Sequence, residues 1–170
     1  MRHKFLRCCM LTLLLLCVAC TSAPSDSGGE TVLYFVSTDR RGQGSALESE
    51  PYTGAVEQPG PGELLSALLA GPTYEGLAAP FPRGTSLLSW EWDAARPNNL
   101  RVRLSEQYGG LADVSLTLAD YCIVLTLSQI EGVETVEILA GRYASNYRSH
   151  ALLRADEVEL FDQAAHAVQP

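Results

Sequence analysis

Between residues 115 and 130, apolar side chains recur every three or four positions, at Leu116, Ala119, Ile123, Leu127 and Ile130. That spacing places them on one face of an α-helix. Leu118, Cys122 and Leu125, with the ring of Tyr121, form a second apolar strip. Thr117, Asp120, Val124 and Ser128 are left as a narrower, more polar stripe. A helix apolar over so much of its circumference is expected to be the core helix, buried on more than one side. Gly132 supplies a stop, because glycine reaches positive φ without a Cβ clash. The run 135–139 that follows has the length of a strand.

The same patterns mark the other elements. Residues 31–37 (Thr-Val-Leu-Tyr-Phe-Val-Ser) form a continuous β-branched and aromatic run, as in a strand covered on both faces. Residues 39–59 read as a long loop with a short extended piece over 52–56. The stretch 61–70 places Leu64, Leu65, Leu68 and Leu69 on one helical stripe. Pro61 suits the first helical turn and Glu63 the positive end of the helix dipole. Gly71-Pro72 ends that helix, the glycine as a left-handed cap and the proline as a block. After a Pro- and Gly-punctuated loop over 74–84, Leu88, Trp90 and Trp92 alternate with Ser89 and Glu91. Leu100, Val102 and Leu104 then alternate with Arg101 and Arg103. The two segments predict an antiparallel hairpin with one wet face, on which Glu91 can pair with Arg101 or Arg103.

The order is strand, helix, strand, strand, helix, strand. It predicts an α/β protein of the α+β type: a two-layer β-α-β-β-α-β sandwich, with two helices on one face of a small mixed sheet. The tail beyond residue 142 offers only a short strand over 151–153 and a helical turn or two over 156–168.

Composition adds a location. Arg2, Lys4 and Arg7 precede an apolar run too short to cross a bilayer core of roughly 30 Å as an ordinary helix. Leu16-Cys17-Val18-Ala19-Cys20 follows, and the whole start resembles a bacterial lipoprotein signal. In such signals the peptidase cuts before the cysteine, whose thiol carries the lipid. The usual motif has an aliphatic residue three places before that cysteine, where this chain has Cys17. The expected organisation is a signal peptide over 1–19, a tether over 20–30 rich in small and polar residues, a domain over 31–142 and a C-terminal extension over 143–170. Lipidation is expected at Cys20, which would anchor the chain to the outer face of the cytoplasmic membrane. Of five cysteines, only Cys122 then belongs to the domain, so no internal disulfide forms there. It reads as a buried, inert thiol.

The whole chain has 12 basic and 20 acidic residues, net −8. Without Arg2, Lys4 and Arg7, nine basic residues face twenty acidic ones, net −11. That balance argues against a nucleic-acid surface, which needs clustered Lys and Arg.

Four stretches together resemble the GerMN domain, the "sporulation and spore germination" domain. They are Leu33-Tyr34-Phe35, Ala67-Leu68-Leu69-Ala70-Gly71-Pro72, Leu125-Thr126-Leu127, and Gly132-Val133-Glu134-Thr135-Val136-Glu137-Ile138 leading to Gly141. The helix-ending Leu-Leu-Ala-Gly-Pro is the most specific of them. The resemblance implies a β-α-β-β-α-β fold similar to the ring-building domains of secretion and sporulation channels. It also implies an assembly role at the cell envelope, without established catalytic residues, and the family is often carried on lipoproteins.

The residues themselves offer little chemistry. No His-Glu-x-x-His, Cys-x-x-Cys, phosphate-loop or Gly-x-Ser-x-Gly pattern occurs. No catalytic residue, metal ligand or cofactor is expected. Asp113 reads as a helix cap or entry-loop residue, and Asp120 as a member of the polar stripe. Trp90 and Trp92 have the chemistry to stack on a sugar, but sharing a face with Leu88 they read first as core. Arg142, Tyr147 and Arg148, in a basic and aromatic run with His150 and Arg154, fit a solvated loop. They are also the candidate partner-binding residues, since Arg and Tyr favour binding hot spots. Three functions follow: a lipid-anchored, non-enzymatic module binding an envelope protein or wall polymer; a binder of wall glycan or another small ligand through the tryptophans; or an enzyme. A flat, exposed sheet edge would favour the first. A concavity lined by Trp90 and Trp92 would favour the second, and converging titratable groups the third.

Overall fold

The computed structural model describes residues 30–38, 45–141 and 153–158. The signal peptide, Cys20, nearly all of the tether, and Arg142, Tyr147 and Arg148 lie outside the described residues. Strands β1 (Val32–Ser37) and β2 (Leu47–Pro51) lead to helix α1 (Pro61–Ala70). Then come β3 (Leu77–Ala78), β4 (Leu87–Trp92) and β5 (Asn99–Leu104). A 3-10 turn (Glu106–Gly110), helix α2 (Asp113–Leu127) and strand β6 (Thr135–Ala140) complete the order.

The α/β class and the six predicted elements are present, but the strands form two three-stranded sheets instead of one. One sheet has the order β2-β1-β3 and is antiparallel throughout; the other is β4-β5-β6, with β4 antiparallel and β6 parallel to β5. The reason lies along β1. β3 pairs only with Val36 and Ser37. The remaining outward amides of β1 bond to side chains at and just beyond the end of α2: Tyr34 N–H donates to Thr126 Oγ1 (3.1 Å) and Val32 N–H to Gln129 Oε1 (3.0 Å). Gln129 Nε2 returns a bond to the Val32 carbonyl at 2.8 Å. Polar groups near the end of α2 thus stand where a strand of the second sheet would have been. β1 is also less enclosed than its apolar run suggested: Leu33 and Phe35 are buried, while Val32, Tyr34 and Val36 are half-buried.

Two strands escaped the sequence pattern. β2 is Leu-Glu-Ser-Glu-Pro, and it precedes the extended piece expected over 52–56. Its Glu50, 2% exposed, is satisfied by Thr73 N–H, Thr73 Oγ1–H and Tyr74 N–H at 2.8–3.2 Å. A buried carboxylate with that many donors is a structural clamp on the loop leaving α1. β3 is too short for any period.

α1 starts as expected, with Pro61 in its first turn and Glu63 Oε2 accepting the Gly60 N–H at 3.1 Å. It ends at Gly71, whose φ of 95° and ψ of 169° are extended rather than left-handed helical, a region open almost only to glycine. α2 ends at Leu127, before Gly132, which takes its positive φ in the following turn. Its polar stripe is not a wet one: Asp120 and Val124 are buried, and Asp120 accepts a 2.5 Å hydrogen bond from the buried Tyr108 hydroxyl. Asp113 is the first helical residue, at φ 50°, and its side chain makes no cap bond. The core joins Leu33 and Phe35 of β1, Leu64, Leu65 and Leu68 of α1, β5, α2 and β6. Residues of the tail contribute to it. Leu153 makes an antiparallel bridge to Val136, and Val158, in a helical turn over 155–158, is buried.

Candidate interaction surface

On the hairpin, the register pairs Trp90 with Val102 and Trp92 with Leu100, so both indoles stand on the helix-facing side of the sheet. They are nevertheless 40% and 41% exposed, which corrects their reading as core. Two features explain it. β4 is an edge strand, so the indoles have a strand on one side only. A register shift between Leu87 and Ser89 also takes Leu88 out of the alternation, leaving it 55% exposed. Each indole rests on a glycine. A Cβ on Gly62 would lie 3.1 Å from Trp90 Nε1, and one on Gly132 4.0 Å from Trp92 Cη2.

The opposite face of the sheet is the expected wet one. Arg101 stands at its centre, with Glu91 on one side (Nη1–Oε1, 2.9 Å) and Glu137 on the other (Nε–Oε2, 2.8 Å). Asp93 Oδ2 receives Arg101 Nη2 at 3.1 Å and Arg96 Nη2 at 2.8 Å. The Ala95 N–H, then the two guanidinium groups, hold the Asp93 carboxyl below the usual carboxylate range, against a partial opposing effect of burial. Glu137 and Glu91 in turn hold Arg101 more firmly charged. Every group in this ladder has an opposite partner, the pattern of a structural network rather than of a poised acid and base.

Two concavities accompany these faces. One, of about 340 Å³, is apolar and lies between β3 and the start of α2, with Val36, Phe81, Leu111 and Leu118 in its lining. The other, of about 260 Å³, lies by the hairpin turn around Arg96, Asn98 and Glu134. Neither is lined by Trp90 or Trp92. Among the described residues, no three His, Cys, Asp or Glu side chains gather to hold a metal ion. Cys122 is fully buried, and desolvation pushes its thiol up to about 12. No helix among the described residues is long and apolar enough to cross a membrane. His150 and His166 lie outside the described residues. The exposed apolar edge of β4 is thus the surface that sequence reasoning missed. Its residues carried the alternation of a half-buried strand, and nothing local marked which strand would close the sheet.

Comparison with known proteins completes the picture. The family model described as "Germane: Sporulation and spore germination" matches residues 32–141. No curated protein matches the chain. The first GerMN domain of the sporulation protein GerM from Bacillus subtilis superposes with a TM-score of 0.53 at 13% identity, over 74% of this chain and 92% of that one. The tandem GerMN domains of the same protein give 0.51 at 14% identity, over 68% of this chain and 40% of that one. The chain therefore spans less than half of the tandem structure, and at these identities the likeness is one of fold.

Proposed function

The chain belongs to the Germane family of sporulation and spore germination domains, and from that premise we propose that it is a lipid-anchored, non-enzymatic module that assembles with a protein partner at the cell envelope. The observation that carries this reading is the β4 edge, where Leu88, Trp90 and Trp92 stand 40–55% exposed. Tryptophan is the side chain most enriched at binding hot spots, and large apolar residues gathered at one exposed site mark interaction surfaces. In this reading Cys20 carries the lipid and residues 21–30 tether the domain at the outer face of the cytoplasmic membrane. Arg142, Tyr147 and Arg148 form a second, electrostatic contact set.

The test is photo-crosslinking in cells from about ten exposed positions spread over the domain, Leu88, Glu75 and Ser66 among them. Capture of a discrete envelope protein from Leu88, and not from Glu75 or Ser66, is the expected result. Absence of any captured protein from all positions would sink the reading. A Cys20→Ala chain should keep its leader and its intact mass. The triple alanine variant of Arg142, Tyr147 and Arg148 should weaken capture most at low salt. The second reading, a binder of wall glycan, draws on the two indoles on one strand. It predicts instead that purified wall polymer quenches their fluorescence.

A further inference from the structure

Among the described residues the two sheets have four edge strands, and apart from the two-residue β3 they are finished differently. β6 is covered by Leu153, through Val136 N–H to its carbonyl (2.9 Å) and the return bond (3.1 Å). β2 is blunted: Ser45 Oγ accepts the Leu47 N–H at 3.2 Å, and Pro51 has no N–H to offer. β4 has neither device along its last three residues. Asp93 N–H bonds the Asn99 carbonyl at 3.0 Å, and the register sets Glu91 against Arg101 and Ser89 against Arg103. The odd-numbered residues therefore carry the ladder to β5, and the backbone N–H and C=O of Trp90 and Trp92 point away from it. No described residue bonds those groups.

We propose that this edge takes up an extended polypeptide segment of a partner protein, in which apolar residues alternate with lysine or arginine, as a fourth strand beside β4. The inference rests on the reading of the chain as an interaction module and adds the mode and the chemistry of the partner. Strand addition uses main-chain hydrogen bonds for affinity and alternate side chains for selectivity. On the helix-facing side the incoming apolar residues meet Trp90 and Trp92. On the other side its residues meet Glu91, whose side chain is 62% exposed although it pairs with Arg101. Charge selects the cation. The glycines beneath the two indoles adjoin exposed carboxylates, Glu63 beside Gly62 and Glu131 beside Gly132. Of the exposed carboxylates, Glu91 is the one that the register places on the side where the alternate residues of the incoming strand arrive. A second copy of this chain is disfavoured at the same edge, because without the leader's Arg2, Lys4 and Arg7 each copy has nine basic against twenty acidic residues, net −11, and would repel the other.

The probes are four heptapeptides, presented to the full-length lipoprotein in uncharged detergent. One alternates valine with lysine, and one alternates valine with glutamate. Two are the lysine peptide N-methylated on one or the other set of alternate amides. Strand addition requires that the lysine peptide slow hydrogen exchange at the Trp90 and Trp92 amides at least tenfold. One N-methylated set should abolish this and the other leave it intact, since only one set faces β4. The glutamate peptide should bind at least tenfold more weakly, and Glu91→Gln should narrow that gap. Equal binding of both N-methylated peptides would mean stacking without strand addition and overturn the proposal. So would equal binding of the glutamate peptide, protection of the same amides by a wall glycan fragment alone, or a dimer closed through β4 in sedimentation without peptide. Any of these, with a protein still captured from Leu88 in cells, leaves the interaction module standing and removes only this mode.

Discussion

Strand β5 keeps Leu100, Val102 and Leu104 out of water, while β4, bonded along its length to β5, leaves Trp90 and Trp92 about two-fifths in it. Both strands alternate, and both point their apolar set at the same helices. The difference is position: β5 has a strand on either side, and β4 has one. The contrast with β2 is as instructive. That edge is built from acids, a proline and a capped amide, and its one deeply buried carboxylate serves the fold. Edges that proteins mean to keep single are finished in this way. An edge finished instead with two tryptophans and a leucine is one that a partner can use.

The largest effect that tests this contrast is in the core. Leu100→Ala should cost about 2–5 kcal/mol in urea denaturation. Trp92→Ala should cost less than about 2 kcal/mol, although it deletes more atoms, because much of the ring is already hydrated. Equal losses would mean that β4 is as enclosed as β5. Next come the two strand glutamates. Glu50→Ala strands the buried donors of Thr73 and Tyr74 and should cost about 1–3 kcal/mol. Glu91→Ala gives up an exposed ion pair and should cost at most about 1 kcal/mol. A reversed order would show that the charge ladder, not the β2 clamp, holds the molecule.

A smaller effect separates the two faces of β4 by pH. Asp93 has a folded pKa below its unfolded value, so its contribution is complete above the usual carboxylate range, near pH 4. It is lost as the pH falls through the depressed folded value. Melting temperatures between pH 7 and pH 3 should therefore fall more for the wild type than for Asp93→Asn. Parallel curves would remove Asp93 from the network. The smallest change is Leu88→Lys, which should shift stability by no more than about 0.5 kcal/mol. It should still weaken binding of the lysine peptide to the β4 edge, since a charge on an edge strand opposes pairing.

The helical period at residues 115–130, the Leu-rich stripe ending at Gly71-Pro72 and the alternation of β4 and β5 were legible in the chain. Each is a local pattern whose period reports a local geometry. The family resemblance was legible for the same reason, as an ordered set of such patterns, and the family model matches over residues 32–141. What was not legible depends on neighbours distant in sequence. β2 carries no strand-like pattern, and its Glu50 is buried because Thr73 and Tyr74 come to meet it. Asp120 lies on a polar stripe in the sequence, and Tyr108 makes that stripe interior. The division into two sheets was decided by Thr126 and Gln129 reaching the amides of β1.

Periodicity and capping act within a few residues, so the elements, the class and the apolar positions could be read along the chain. Which of those apolar positions are closed depends on packing between residues far apart in it. Trp90 and Val102 follow the same alternation, and one is exposed while the other is not. A strand's burial is set by what lies on its far side, and that is a property of the sheet order rather than of the strand.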